Sequence, residues 1–187
     1  MAHLRLNPLK MSKTSLVLTV LGQDRPGLVD AIARAVTEHG GNWVESRMAH
    51  LAGQFAGILR VEVDSGAAEA LTQSLSALSA GGLAAGGLQS VVHADVLDAL
   101  PQQCPLVKLS LVGQDRVGIV REISRILAVH GVNVEELNTE CKRAPNSGQE
   151  LFQAEAQLRL PAGVSIDTLH AALEQVAADM MVDLRLE

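Results

Sequence analysis

The chain has 187 residues, 48% hydrophobic and 19% charged, with one Trp, two Phe and no Tyr. That is enough apolar sequence for one large domain or two small ones, each with an aliphatic core. Its formal net charge of -6, with Lys and Arg scattered along the chain, excludes an autonomous nucleic-acid binder, which needs a basic face to neutralise phosphates.

The elements follow in chain order. Residues 1–10 are expected to take no part in the fold, Met11 being a second candidate start. Ser15 to Leu21 reads as a strand with Leu16, Leu18 and Val20 on one face. It is far too short to span a bilayer and no small-residue cleavage site follows it, so neither a membrane span nor a secretory signal is expected. Gly22 and Gly27 bracket a turn, and Pro26 is placed in the first turn of the helix that follows. Leu28, Val29, Ile32, Ala33 and Val36 recur at helical spacing, and Gly40-Gly41 stops that helix. Asn42 to Leu51 and Gln54 to Val63 read as a hairpin around Ala52-Gly53. Ala67 to Ala80 has helical composition, with Leu71, Leu75 and Leu78 on one stripe. The glycine-rich stretch Gly81 to Gly87 reads as a flexible connector, and Leu88 to Val96 alternates as a closing strand.

The same order then repeats. Leu18 to Val29 matches Leu109 to Val120 at an offset of 91 residues, and the register continues through Ile32/Ile123, Arg34/Arg125, His39-Gly40/His130-Gly131, Asn42/Asn133 and Glu45/Glu136. An ungapped match of this length marks an internal duplication. In the second half Val107 to Val112, Asn133 to Lys142, Glu150 to Leu160 and Val182 to Leu186 read as strands, with helices over Val117 to His130 and Ile166 to Asp179. The hairpin loop Arg143 to Gln149 is longer than its counterpart. The expected fold is α+β: two ferredoxin-like βαββαβ domains in tandem, over residues 12–97 and 106–187, joined by a proline-bearing linker over 98–105. Each sheet has one bare face, expected to be covered by the other repeat or by a second chain.

The two strand-to-helix turns are the candidate sites: Gln23, Asp24, Arg25, Pro26 and Gly27 in the first copy, and Gln114, Asp115, Arg116 and Gly118 in the second. A helix N-terminus offers unpaired N–H groups and partial positive charge to a carboxylate. Asp24 and Asp115 are acceptors suited to an ammonium group, and Asn42 and Asn133, opening the second strand of each half, supply a donor and an acceptor. Both aspartates are equally residues that cap a helix. Arg25 and Arg116 read either as anion contacts or as solvated turn residues. His39 and His130 sit where a histidine favours a helix C-terminus. His50, His93 and His170 lack ligand spacing, so no metal is expected. Ser46-Arg47 has no adjacent base for nucleophilic work and no phosphate loop is present, so no catalytic residue and no cofactor is expected. Cys104 and Cys141 read as reduced thiols of a cytoplasmic protein.

The pattern Gly-x-Asp-Arg-Pro-Gly-Leu-Val, a helix, then Gly-x-Asn resembles the ACT domain family, and the resemblance covers both halves. It implies a regulatory module without catalysis that binds an amino acid, glycine being the candidate. It also implies action on transcription through a protein partner, a LysR-type activator that makes the DNA contact, with a homodimer expected. The alternative reading is an allosteric regulatory subunit of an amino-acid metabolic enzyme. The second copy departs from the pattern at Val117, which stands where Pro26 stands in the first.

Overall fold

The computed structural model describes residues 12–80, 89–94, 104–144 and 148–187. Residues 1–10, the Gly81–Gly87 connector, residues 98–103 of the expected linker and the centre of the Arg143–Gln149 loop lie outside the described residues. The chain divides into two compact units between Asp98 and Ala99.

The first unit contains β1 (Lys13–Gln23), α1 (Leu28–Glu38), β2 (Asn42–Leu51), β3 (Gln54–Asp64), α2 (Ala68–Ala80) and β4 (Gln89–Ala94). The second contains β5 (Leu106–Gln114), α3 (Ile119–Val129), β6 (Asn133–Arg143), β7 (Glu150–Arg159), α4 (Ile166–Met180) and β8 (Val182–Leu186). Each forms an antiparallel four-stranded sheet, in the orders β2-β3-β1-β4 and β6-β7-β5-β8. Both helices of a unit pack on one face of its sheet. This is the expected pair of βαββαβ ferredoxin-like units.

Period-two alternation builds the cores. Along β1, Leu16, Leu18 and Val20 point inward with Leu59, Val61 and Val63 of β3. They meet Leu28, Ile32 and Val36 of α1 and Leu71 and Leu75 of α2. In the second unit Leu109 and Leu111 of β5, Leu158 of β7, Ile119, Ile123 and Leu127 of α3 and Leu169 and Leu173 of α4 repeat the arrangement. The two phenylalanines occupy equivalent sites, Phe55 opposite Gly22 and Phe152 opposite Gly113. Their offset is 97 residues rather than 91, because the longer second hairpin inserts six residues between the copies.

The helix starts differ from expectation. Pro26 precedes the helix instead of lying in its first turn. Gly27 is the N-cap, at φ 92°, and Gly118 takes the same role at φ 102°, so α3 begins at Ile119 and not at Val117. A positive φ closes the helical path to everything before it. At the other end of α1, Gly40 at φ 68° lets its N–H reach Thr37 O (3.0 Å) and that of Gly41 reach Val36 O (2.8 Å), as a left-handed C-terminal stop requires. By contrast α4 opens on Ser165, whose hydroxyl accepts from the Thr168 N–H at 3.1 Å. Replacing Ser165 by Ala is expected to cost about 1 kcal/mol of stability in chemical denaturation; an unchanged midpoint would show that the cap contributes nothing.

The helix-free faces of the two sheets are unlike. That of the first exposes Leu21, Ile58 and Val91. The second presents Lys108 paired with Glu155, together with Gln157, Glu136 and Asn138.

Candidate functional site

Each turn is held from below by the hairpin of its own unit. The Asp24 N–H donates to Gly53 O at 2.9 Å, and the Asp115 N–H to Glu150 O at 3.1 Å. Gly27 is required by conformation and not by space, since a Cβ there would meet nothing within 4 Å. Neither α1 nor α3 receives a side-chain cap. The capping alternative for Asp24 and Asp115 is therefore not what the chain adopts. The glycine N-caps have no side-chain oxygen to offer, and the first-turn N–H groups of α1 and α3 keep their partial positive charge without a side-chain acceptor.

The aspartates face the end of the second strand instead. His50 Nε2 lies 3.7 Å from the Asp24 carboxylate. At the same position of the repeat, 91 residues on, Asp115 faces Cys141. The Cys141 thiol is pushed up by desolvation, then by the charge of Asp115 and a hydrogen bond to it, then by the charge of Glu150. A raised thiol carries little thiolate near neutral pH and is a poor nucleophile. Sequence reasoning missed both partners, although the duplication register that aligns Asp24 with Asp115 also aligns His50 with Cys141.

The other turn residues divide between the copies. Gln23 and Pro26 are exposed, as are Gln114, Arg116 and Val117. Arg25 is half-buried, and its Nε is a buried donor with no hydrogen-bond partner among the described residues. Its counterpart Arg116 is exposed, so only the first turn holds a guanidinium in place. Val117 is fully exposed; losing the proline there removes rigidity and no packing.

Asn42 and Asn133 are not beside the turns. β3 pairs Asn42 with Glu62 and Leu51 with Gln54, while the same strand pairs Ser15 with Glu62 and Gln23 with Gln54. Asn42 is thus level with Ser15, eight strand residues or about 27 Å from Gln23. Asn133 is level with Leu106 and equally far from Gln114. The reason is topological: α1 and α3 run back along the sheet, so the next strand starts at the end remote from the turn. Asn133 serves the β-bulge between Val134 and Glu136. It donates to Glu135 Oε1 at 2.9 Å, which also accepts from Arg159 Nε at 2.8 Å. Those two hydrogen bonds, with the Arg159 one the larger influence, hold the Glu135 carboxyl below the usual glutamate range.

His39 Nδ1 lies 2.8 Å from Ala35 O, a bond within its own helix end. His170 lies 3.6 Å from Glu174 on α4. Among the described residues no group of three or more His, Cys, Asp or Glu side chains is placed to hold a metal ion. No helix of the described residues is long and apolar enough to cross a membrane.

Residues 14–81 match the family model of the ACT domain, and the internal repeat carries the same turn, helix and strand order into the second unit. The first unit thus matches the ACT domain model, and the chain is a tandem of two ferredoxin-like units that resemble it. Among individual proteins it resembles the glycine cleavage system transcriptional repressor of Escherichia coli (strain K12), with 26% identity over 169 residues that cover 90% of this chain and 87% of that protein. A crystal structure of an unknown protein from Galdieria sulphuraria superposes with a TM-score of 0.79 at 29% identity, covering 94% of this chain and 98% of that one. A second crystal structure, provisionally assigned as a glycine cleavage system transcriptional repressor, gives a TM-score of 0.66 at 18% identity over 94% and 96% of the two chains, and shares the fold.

Proposed function

We propose that this chain is a non-catalytic regulator that senses an amino acid at the first turn and acts on transcription of the glycine cleavage system by binding a DNA-binding activator of the LysR type. The observation that carries the sensing step is the uncapped α1 N-terminus beside Arg25, whose Nε has no hydrogen-bond partner among the described residues. Together they offer a carboxylate two kinds of N–H donor and a full positive charge. Asp24 is the acceptor for the ammonium group, with His50 at its side. Glycine is the candidate ligand because the E. coli relative is named for the glycine cleavage system. The proposed site holds Gln23, Asp24, Arg25, Pro26 and Gly27. Gln114, Asp115, Arg116 and Gly118 form a weaker second turn, because Arg116 lies free in solvent. Asn42 and Asn133 drop out of it for the distance given above.

The net charge of -6 supports regulation through a protein partner and not through direct DNA contact. Ligand and partner are then linked: each shifts the other's affinity by the same factor, on the order of 1–3 kcal/mol. Thermal-shift and calorimetric titrations with glycine and the other amino acids test the first step. A true ligand at 100 times its Kd stabilises the protein by about 2.7 kcal/mol, and Arg25→Ala is expected to remove that shift while Arg116→Ala keeps it. No shift with any amino acid sinks the sensing step. For the second step, affinity capture from a cell that contains the glycine cleavage genes is expected to retain an activator in a ligand-dependent amount. Retention of a metabolic enzyme instead would replace transcription with allosteric control of that enzyme.

A further inference from the structure

The two turns share Gly-Gln-Asp-Arg, and they differ in what stands at the end of the second strand: His50 in the first copy, Cys141 in the second. Both sides of the His50–Asp24 contact are fixed by backbone. His50 pairs with Phe55 at the closed end of the β2–β3 hairpin. That hairpin turns through Ala52 at φ 50° and Gly53 at φ 78°, and Gly53 O takes the Asp24 N–H at 2.9 Å. One tight turn thus places both side chains.

The 3.7 Å from His50 Nε2 to the Asp24 carboxylate is a charge contact, too long for a hydrogen bond. A neutral imidazole at that distance takes no lone pair from the carboxylate. An imidazolium there is a fixed cation that draws on the same carboxylate as a ligand's ammonium group and repels that group. With the two side chains 57% and 42% exposed, a small solute reaches both. The neighbouring charges do not cancel the effect. Arg25 follows Asp24 on the turn and has the same sign as the imidazolium. On α1, Asp30 is paired with Arg34, and His39 lies at the far end of that helix, bound to Ala35 O. β3 brings only the uncharged Phe55 opposite His50. In the second turn Asp115 faces a thiol that is pushed up and carries little charge near neutral pH.

We propose that His50 couples the first turn to pH: a proton on its imidazole competes with the ammonium group of an amino acid for Asp24, and the second turn, with Cys141 in that place, has no such competitor. The coupling rests on the amino-acid reading of the first turn. Ligand and proton each weaken the other's binding by the same factor. The window is the one in which histidine changes charge, pH 5 to 8, above the range in which an aspartate loses its own. As the pH falls through it the imidazolium accumulates and the ligand Kd rises.

Isothermal titration calorimetry of the full chain with glycine, and then with each of the other standard amino acids, at pH 7.5 and 5.5 tests the coupling. The Kd at pH 5.5 is expected to be about fivefold that at pH 7.5, the size of one charge contact at this distance with water on both sides. Titration at pH 6.5 in two buffers of different ionisation enthalpy is expected to show part of a proton released on binding. His50→Gln is expected to hold one Kd across the window and to release no proton. His50→Lys, whose charge does not titrate there, is expected to bind weakly at both pH values. A side chain with a structural role alone would change binding equally at both and move no proton. Thermal melts of the ligand-free variants show whether the fold is kept, and the wild-type proton count carries the test if a variant unfolds. Binding of no amino acid at either pH would remove the ligand reading and the coupling with it. Equal Kd values at the two pH values, tighter binding at pH 5.5, or a His50→Gln chain that keeps the pH dependence would overturn the coupling and leave the ligand reading standing.

Discussion

Replacing Leu158 by Ala is expected to lower the unfolding free energy of the second unit by about 3–4 kcal/mol. Leu158 is fully buried on β7. It pairs with Val107 on one side and Val134 on the other. Removing its branched end costs the lost transfer energy and the cavity left behind, and a sheet centre braced on both sides cannot collapse to fill it. Urea titration followed by circular dichroism reads the loss. A cost below about 1 kcal/mol would mean that the strand repacks freely and that the core is looser than its burial implies.

Gly113→Ala is expected to be nearly as damaging, at about 3 kcal/mol, by the opposite route. A Cβ on Gly113 would lie 2.3 Å from Val182 Cγ1, 2.8 Å from its Cβ and 2.9 Å from its Cα. The last of these is backbone, so β8 would have to move off β5 for the methyl to fit. Gly118→Ala makes the contrast. Its Cβ meets nothing within 4 Å, and only the φ of 102° opposes it, which costs about 1 kcal/mol. Equal melting temperatures for the two variants would refute the distinction between crowding and backbone strain. Suppression of the Gly113→Ala defect by Val182→Ala would confirm crowding as its cause.

Much of this architecture is legible in the residues themselves. Leu16, Leu18 and Val20 alternate, Ile32 and Val36 recur at helical spacing, and the 91-residue register turns one reading of a βαββαβ unit into two. The helix starts were less legible. Pro26 and Val117 fit the first turn by composition, and only the positive φ of Gly27 and Gly118 pushes the helices two residues on. The candidate site was half legible. The turns lie where spacing puts them, but Asn42 and Asn133 are near the turns only in the linear order of elements. A helix that crosses the sheet carries the chain about as far from the turn as the sheet extends. His50 and Cys141 show the converse: neither stands out alone in the sequence, and both become meaningful once register brings the end of the second strand to the turn. The Arg25 asymmetry was hidden for another reason, since Gln-Asp-Arg is identical in both copies and only burial separates them.

The shared sequence that reveals the duplication also complicates how this chain finds its native state. β1 closes against β4, joining Leu16 to Ala94, so the sheet centre depends on contacts far apart along the chain, which slow folding. Meanwhile β5 has the same alternation as β1 and ends in the same Gly-Gln pair, so it can compete for the place beside β3. The features that separate the copies then act as an address. The six extra hairpin residues barely alter loop-closure entropy, yet they change what each strand finds beside its hairpin. Trp43 and Met48 pack against the first core where Val134 and Thr139 stand in the second, so the two helices meet strands of different shape. Divergence between the repeats thus has a consequence before any ligand arrives: it favours pairing within each half over exchange between two related halves.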